Sequence, residues 1–205
     1  TSATTASDRV MWDERYATDE FVYGRQPNDF LVSQVSALPL GKVLCLAEGE
    51  GRNAVWLARQ GYQVTAVDAS AVGLEKARRL AAEHEVEVEI IQADLGDFDI
   101  ASESWDAVVS IFCHLPAVLR RQVHARVANG LRSGGVLLLE AYTPRQLEFG
   151  TGGPPVAEMM MDKDVLSDEL DGLVFRYAEE CVRDVNEGRF HHGEGAVVQL
   201  VASKP

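Results

Sequence analysis

Basic residues are in short supply: 19 lysines and arginines face 32 aspartates and glutamates, for a formal charge of −13. Nucleic acids and anionic membranes are bound through basic patches, so both are disfavoured as partners and a small molecule is expected instead. Cysteine is scarce as well. Cys45, Cys113 and Cys181 are far apart and two fall in apolar runs, which counts against a disulfide framework and points to buried free thiols in a reducing compartment. No apolar run exceeds strand length, so neither a membrane span nor a secretory leader is expected and the reading is a soluble, cytoplasmic protein. Metal spacing is missing too: His191 and His192 are adjacent, and neighbours on a strand point to opposite faces, so at most one can enter a site. At 205 residues there is room for one ordinary domain but little for a second, catalytic one.

What is present is concentrated in VLCLAEGEGRNAVWLA at 43–58 and VTAVDAS at 64–70. An apolar run breaks into glycines, restarts as an amphipathic helix, and is followed by a second apolar run ending in Asp68. Strand, glycine turn, helix and acid-tipped strand form the nucleotide-binding half of an open α/β sheet. Residues 49–54, GEGRNA, also fit the dinucleotide pattern GxGxxA. Glu48 and Glu50, however, flank the place a pyrophosphate would take, and two like charges at ~4 Å repel by roughly 4 kcal/mol at an effective dielectric of 20. A cationic nucleoside suits that acidic turn better. A second reading makes the two carboxylates ordinary solvated loop acids, more readily for Glu50 than for Glu48.

Along the chain, a small polar stretch at 1–7 precedes a helix carrying Val10, Met11 and Tyr16, and Asn28 caps a second helix bearing Leu31, Val32 and Val35. Strands are expected at 42–47, 63–68, 86–92, 105–112 and 135–142, as short apolar runs typical of a sheet covered on both faces. Helices fall at 53–60, 70–84 and 116–130, the last closed by Ser133-Gly134-Gly135. The connection holding Asp97 and Asp99 lacks a helical period. Beyond a Gly/Pro-rich loop at 142–155 and a short helix within 156–170, two long strands at 175–185 and 189–203 read as a hairpin turning at Asn186-Glu187-Gly188. The expected fold is α/β, a Rossmann-like doubly wound sheet, mostly parallel with an antiparallel C-terminal hairpin.

The motifs WDERY, YGRQPNDFL, LAEGEGRNAVWLA, VDAS, ADL, SIFCHLP, GGVLLLEAYTP, GTGGPP and VVQLVASKP are spread along almost the whole chain. On them the sequence resembles the class I S-adenosylmethionine-dependent methyltransferases, and among these the small tellurite-resistance and thiopurine-type enzymes. The resemblance implies S-adenosyl-L-methionine as cofactor and one methyltransferase domain over 1–205. Within it, 1–40 form a helical cap, 41–142 the nucleotide-binding core, and 143–205 the acceptor loop and hairpin. It implies that Gly49 and Gly51 form the cofactor turn, that Asp68, with Ala69 beside it, binds the ribose hydroxyls, and that Asp94 and the backbone of Leu95 hold the adenine. The sequence departs from the pattern twice, with Cys45 where an acid is common and Ala47 where a glycine is common. Glu48 is then the candidate partner for the ammonium of the methionine end. A side chain at Gly49 or Gly51 is expected to strike the ligand rather than the core.

Methyl transfer from a sulfonium needs mainly alignment and desolvation, and a base only where the nucleophile must lose a proton. His114, just beyond the fourth strand, is the catalytic candidate; the competing reading is a histidine that ties down the turn before Pro116. Tyr23, in a turn with Gly24, is a candidate to cover the sulfonium with its ring face alongside Tyr16, whereas Trp12 reads better as an anchor. Arg145 and the segment 151–155 are candidates to line the acceptor pocket, with a plain surface connection as the alternative. The sequence therefore favours a methyltransferase acting on a small molecule at a sulfur, oxygen or chalcogen centre. A NAD-dependent oxidoreductase and a non-catalytic S-adenosylmethionine-binding regulator are the competing functions.

Overall fold

Strands β1 (Lys42–Leu46), β2 (Gln63–Asp68), β3 (Glu89–Gln92), β4 (Trp105–Ile111), β5 (Leu131–Tyr142), β6 (Val174–Asn186) and β7 (His192–Ser203) form one sheet in the order β3-β2-β1-β4-β5-β7-β6. The computed structural model describes residues 6–205; residues 1–5, within the polar stretch expected to fray, lie outside it. The first five strands pair in parallel, and β7 inserts antiparallel between β5 and β6. Neighbouring β1 and β4 run from their own crossovers in opposite directions across the sheet, so their carboxyl ends open a crevice at the topological switch point.

Burial explains why the central strands lack polar alternation. Leu44, Leu46, Val108, Leu137 and Leu139 face one core with Leu119, Val123 and Val127 of α5 (Ala117–Gly130) and Leu166 of α6 (Lys163–Glu169). Val43, Cys45, Ala107, Val109 and Leu138 face the other, against α2 (Asp29–Gln34) and α3 (Arg52–Arg59). Both faces are thus apolar, as the sequence runs require. Truncating a fully buried leucine such as Leu44 to alanine removes contacts on a packed layer and costs ~2–5 kcal/mol.

The helices start where their caps allow. Asn28 Oδ1 accepts from Leu31 N–H at 2.9 Å for α2, and Ser70 Oγ accepts from Gly73 N–H at 3.1 Å for α4 (Ala71–Glu83). Asp162 Oδ1 accepts from Val165 N–H at 2.9 Å for α6. Helix α1 (Ala6–Tyr16) packs against α4. Several boundaries differ from the sequence expectation. β3 begins at Glu89 rather than at 86, and β5 begins at Leu131, directly where α5 ends, so Ser133-Gly134-Gly135 lie inside a strand. A register shift against Trp105 and Ala107 accommodates them, with Gly134 at φ +79°. The 93–104 connection has no helix, and opens with a turn in which Asp94 Oδ1 accepts from Gly96 N–H at 2.7 Å. No helix among the described residues is long and apolar enough to cross a membrane.

Candidate active site

The glycine turn follows β1. Gly49 (φ +61°) and Gly51 (φ +88°) adopt left-handed conformations, and so does Ala47 at φ +49°. The alanine at the position where the motif usually carries glycine thus pays steric strain to keep the same backbone path. Cys45, the other departure, is fully buried in the core beside Ala54 and Leu57, and burial, with the charge of Glu48 added, raises its thiol pKa. The expectation for Gly51 is corrected: a Cβ there would stand 2.6 Å from Ala77 Cβ and 2.8 Å from Ala77 Cα on α4. Glycine at 51 serves helix packing. At Gly49 the added carbon would meet the Tyr16 hydroxyl at 2.5 Å.

The two loop carboxylates are bound within the protein. Glu48 Oε1 accepts from Ala54 N–H at 2.7 Å, so this acid caps α3, whose N-cap Gly51 has no side chain to do so. The anion position at the helix start is therefore filled by the protein's own carboxylate. Glu50 is buried and is no solvated loop acid. It accepts from Val22 N–H and Tyr23 N–H at 3.1 and 3.2 Å and pairs with Lys76 Nζ at 2.8 Å. Lys76 in turn donates to Glu20 O at 2.7 Å, and the group fastens residues 20–23 beside the turn.

Asp68 closes the opposite side. Its Oδ2 accepts from Gly49 N–H at 2.9 Å and its Oδ1 from Ser70 N–H at 2.8 Å, which fixes the turn and leaves lone pairs on both oxygens. Desolvation, opposed by backbone hydrogen bonds, raises Asp68 to about 6 and Glu48 to about 7, and for Glu48 the charge of Asp68 adds to the rise. Among the described residues neither forms an ion pair. Two under-neutralised carboxylates beside left-handed glycines are a good fit to a ligand carrying a sulfonium and an ammonium, and a poor one to a pyrophosphate. Ala69 follows Asp68 and its carbonyl accepts from Gln92 Nε2 at 3.3 Å. Asp94 and Leu95 sit after β3, Leu95 buried in the core below.

Helix α1 covers this turn. Asp13 Oδ1 accepts from Ser70 Oγ–H at 2.6 Å, docking the helix at the start of α4. Trp12 stacks on Tyr16 at 5.7 Å, and Tyr16 meets Tyr23 edge-on at 6.3 Å. Tyr23 continues to His191, ring centroids 4.8 Å apart, and His191 lies 4.8 Å from Phe112 and 5.3 Å from Tyr142. An aromatic surface therefore runs without a break from the glycine turn to the carboxyl ends of β4 and β5. Phe112 itself is held at φ +49°, a strained conformation at the end of β4.

His114 belongs to this surface, but its lone pair is in use. Tyr142 N–H donates to His114 Nε2 at 3.0 Å, the ring stacks 5.7 Å from that of Tyr142, and burial holds its pKa down at about 3. In this arrangement it ties the turn before α5 to β5, the alternative the sequence offered to a base. Arg145 is exposed beside Glu148 and lies 5.9 Å over the Phe149 ring. Segment 151–155 borders the aromatic surface: a Cβ on Gly152 would stand 3.0 Å from His191 Cδ2 and 3.3 Å from the Tyr142 hydroxyl. His191 is buried whereas His192 is exposed and meets Asn186 Oδ1 at 3.1 Å.

A buried polar network beneath the site was missed in the sequence. Asn28 Nδ2 donates to Glu140 at 2.8 Å and to Glu187 at 2.7 Å, Arg52 pairs with Glu187, Arg183 pairs with both acids, and Gln199 donates to Glu140 at 2.6 Å. Asn53 Oδ1 accepts from Asn28 N–H at 2.8 Å. Its members come from the YGRQPNDFL, GRNA and EAYTP motifs and from the hairpin. Their chemistry was readable as polar residues inside apolar runs, but their convergence depends on tertiary contacts spanning up to 159 positions.

Residues 43–135 match the family described as a methyltransferase domain. Among solved structures, similar folds include the protein reported under conversion of a disulfide bond into a thioacetal group during echinomycin biosynthesis (20% identity, 97% of this chain and 90% of that one, TM-score 0.76). PH0226 from Pyrococcus horikoshii OT3 follows at 19% identity, covering 86% and 89%, with TM-score 0.66. TehB from Haemophilus influenzae shares 17%, covering 96% and 67%, with TM-score 0.72. At these identities the likeness establishes the fold. No curated protein sequence matches the chain. Fold, acidic turn and domain match define a class I methyltransferase architecture. Over residues 43–135 the chain thus carries a methyltransferase domain match within the class I methyltransferase fold.

Proposed function

We propose that the protein transfers a methyl group to a small-molecule acceptor at an oxygen, sulfur or chalcogen centre. The observation that carries this reading is the aromatic surface leading from the acid-lined glycine turn to the buried His191 and Tyr142 at the carboxyl end of the sheet. The turn takes the cofactor through Glu48, Gly49, Asp68 and Ala69, with Asp94 and Leu95 on the adenine side and Tyr23 between cofactor and acceptor. The bound cofactor supplies an already activated methyl electrophile. The protein's share is to align the acceptor and exclude water, which can supply ~7–11 kcal/mol of barrier reduction. His114 acts in this scheme by holding Tyr142 in place. Tellurite is one acceptor the resemblance suggests, and the three unpaired cysteines fit work in a reducing cytoplasm.

Calorimetric titration with S-adenosylmethionine, S-adenosylhomocysteine and NAD tests the cofactor half. The first two should bind and NAD should not, because Glu48 already occupies the start of α3. Turnover with trideuteromethyl cofactor, read by mass spectrometry across phenols, thiols, tellurite and selenite, tests the acceptor half. Cofactor binding without label transfer to any of them would favour a regulatory binder.

A further inference from the structure

Two polar atoms near the acceptor end have no partner inside the protein. The Tyr142 hydroxyl and His191 Nδ1 are both buried and both unbonded. Tyr142 is fully buried and His191 is 9% exposed. Buried polar groups in native proteins are nearly always satisfied, so an unpaired couple on touching rings calls for an explanation. The two rings stand almost perpendicular, at 86°, and Phe112 and Tyr23 flank the imidazole. The backbone of Gly152 packs on the Cδ2 edge of His191 and on the Tyr142 hydroxyl, kept in place through Gln146 Nε2, which donates to Gly152 O at 3.1 Å and to Thr151 Oγ1 at 2.9 Å.

Resting on the methyltransferase reading above, we propose that His191 and Tyr142 form the acceptor-holding pair, and that their ligand is an uncharged aromatic ring bearing a hydroxyl group. The hydroxyl donates to His191 Nδ1 and accepts from the Tyr142 hydroxyl, while its ring lies among Phe112, Tyr23 and Phe190. This leaves one oxygen lone pair directed away from both residues; when that oxygen takes the methyl group, the methyl–sulfonium bond breaks to leave a neutral thioether and the phenol proton passes to His191 Nδ1. Burial holds the His191 pKa down at about 4, so the imidazole is neutral at physiological pH and can accept. Burial likewise raises the Tyr142 phenol, which stays a donor. Arg52 and Arg183 are bound to Glu187 and Glu140, and Arg15 lies over the rings of Trp12 and Phe190 while donating to the Tyr23 hydroxyl at 3.1 Å. The charges around the couple are thus already engaged, which favours an uncharged ligand.

Phenol, anisole and benzoate are titrated into the full chain with and without S-adenosylhomocysteine, so that loss of the cofactor reading shows as absent S-adenosylhomocysteine binding, separately from the probe comparison. Phenol should bind the parent about 10-fold more tightly than anisole, which lacks the proton to donate, and more tightly than benzoate. His191→Phe should bring the phenol to anisole ratio to about 1. Tyr142→Phe should weaken both by about 5- to 10-fold and keep the ratio. The parent alone gives an independent reading: the unprotonated nitrogen of His191 should shift in long-range proton–nitrogen spectra with phenol and not with anisole. Equal affinities, tighter benzoate binding, a preference that survives His191→Phe, an unmoved His191 resonance, or no binding of any probe would each overturn the proposal.

Discussion

Substituting Gly51 separates packing from ligand contact. An alanine Cβ at this position would lie 2.6 Å from Ala77 Cβ and 2.8 Å from Ala77 Cα, so relief requires α3 and α4 to move apart. The left-handed backbone at φ +88° adds a penalty of ~1–2 kcal/mol for an L side chain, and overpacking against helix backbone adds ~1–3 kcal/mol. Together Gly51→Ala should cost ~2–5 kcal/mol, which for a chain of this size lowers Tm by roughly 5–20 °C. Thermal melting followed by calorimetric titration of the folded protein with S-adenosylhomocysteine reads both quantities. Removing the opposing methyl in Gly51→Ala/Ala77→Gly should recover part of the loss, beyond the ~1 kcal/mol that a helical glycine costs by itself. A variant that melts like the parent but no longer binds S-adenosylhomocysteine would refute the packing argument and return Gly51 to the ligand wall.

Asp68→Ala should weaken S-adenosylhomocysteine by about two orders of magnitude through loss of two charge-assisted hydrogen bonds to the ribose, measured by calorimetry; unchanged affinity would remove Asp68 from the site. Glu48 and Asp68 titrate near 7 and 6, so affinity for the cationic cofactor should rise about one to two orders of magnitude between pH 5.5 and 7.5 as they ionise. Their effect on the unliganded fold has the opposite sign. It is stabilising below the unfolded carboxyl values near 4 and is lost as pH rises through 6 to 7, so the Tm gain on cofactor binding should widen with pH. Glu169→Gln should cost ~3–5 kcal/mol by melting, because it leaves Arg120, now bonded at 3.0 Å, and His124, at 2.7 Å, without their shared buried carboxylate between α5 and α6.

Most of the sheet was legible because its strands are buried on both faces and read as apolar runs. The hairpin of β6 and β7 and the caps at Asn28 and Ser70 were readable because they rest on local chemistry. The misplaced start of β5 has a different cause. Ser133-Gly134-Gly135 is a strong helix stop in isolation, yet α5 already ends at Gly130 and the glycines let β5 bulge against Trp105. Tertiary pairing overrode a local signal.

The site divides along the same line. Backbone conformation was readable: Gly49 and Gly51 take positive φ, and an acid ends β2. Contacts that depend on which distant group reaches a position were not readable. Glu50 carries the same charge and nearly the same neighbours in sequence as Glu48, but a buried lysine on α4 and two amides of the N-terminal segment turn it into a clamp. Glu48 swings the other way and caps α3. His191 was set aside because an adjacent histidine suggested only a failed metal pair, and what marks it out is a missing hydrogen bond, a property that exists only after folding. The glycine turn follows sequence order, whereas the surface around His191 and Tyr142 is built by β5, the 151–155 loop and the hairpin, segments that meet only across the finished sheet. On the proposed reading, variation in those segments changes the acceptor while the cofactor turn stays as it is.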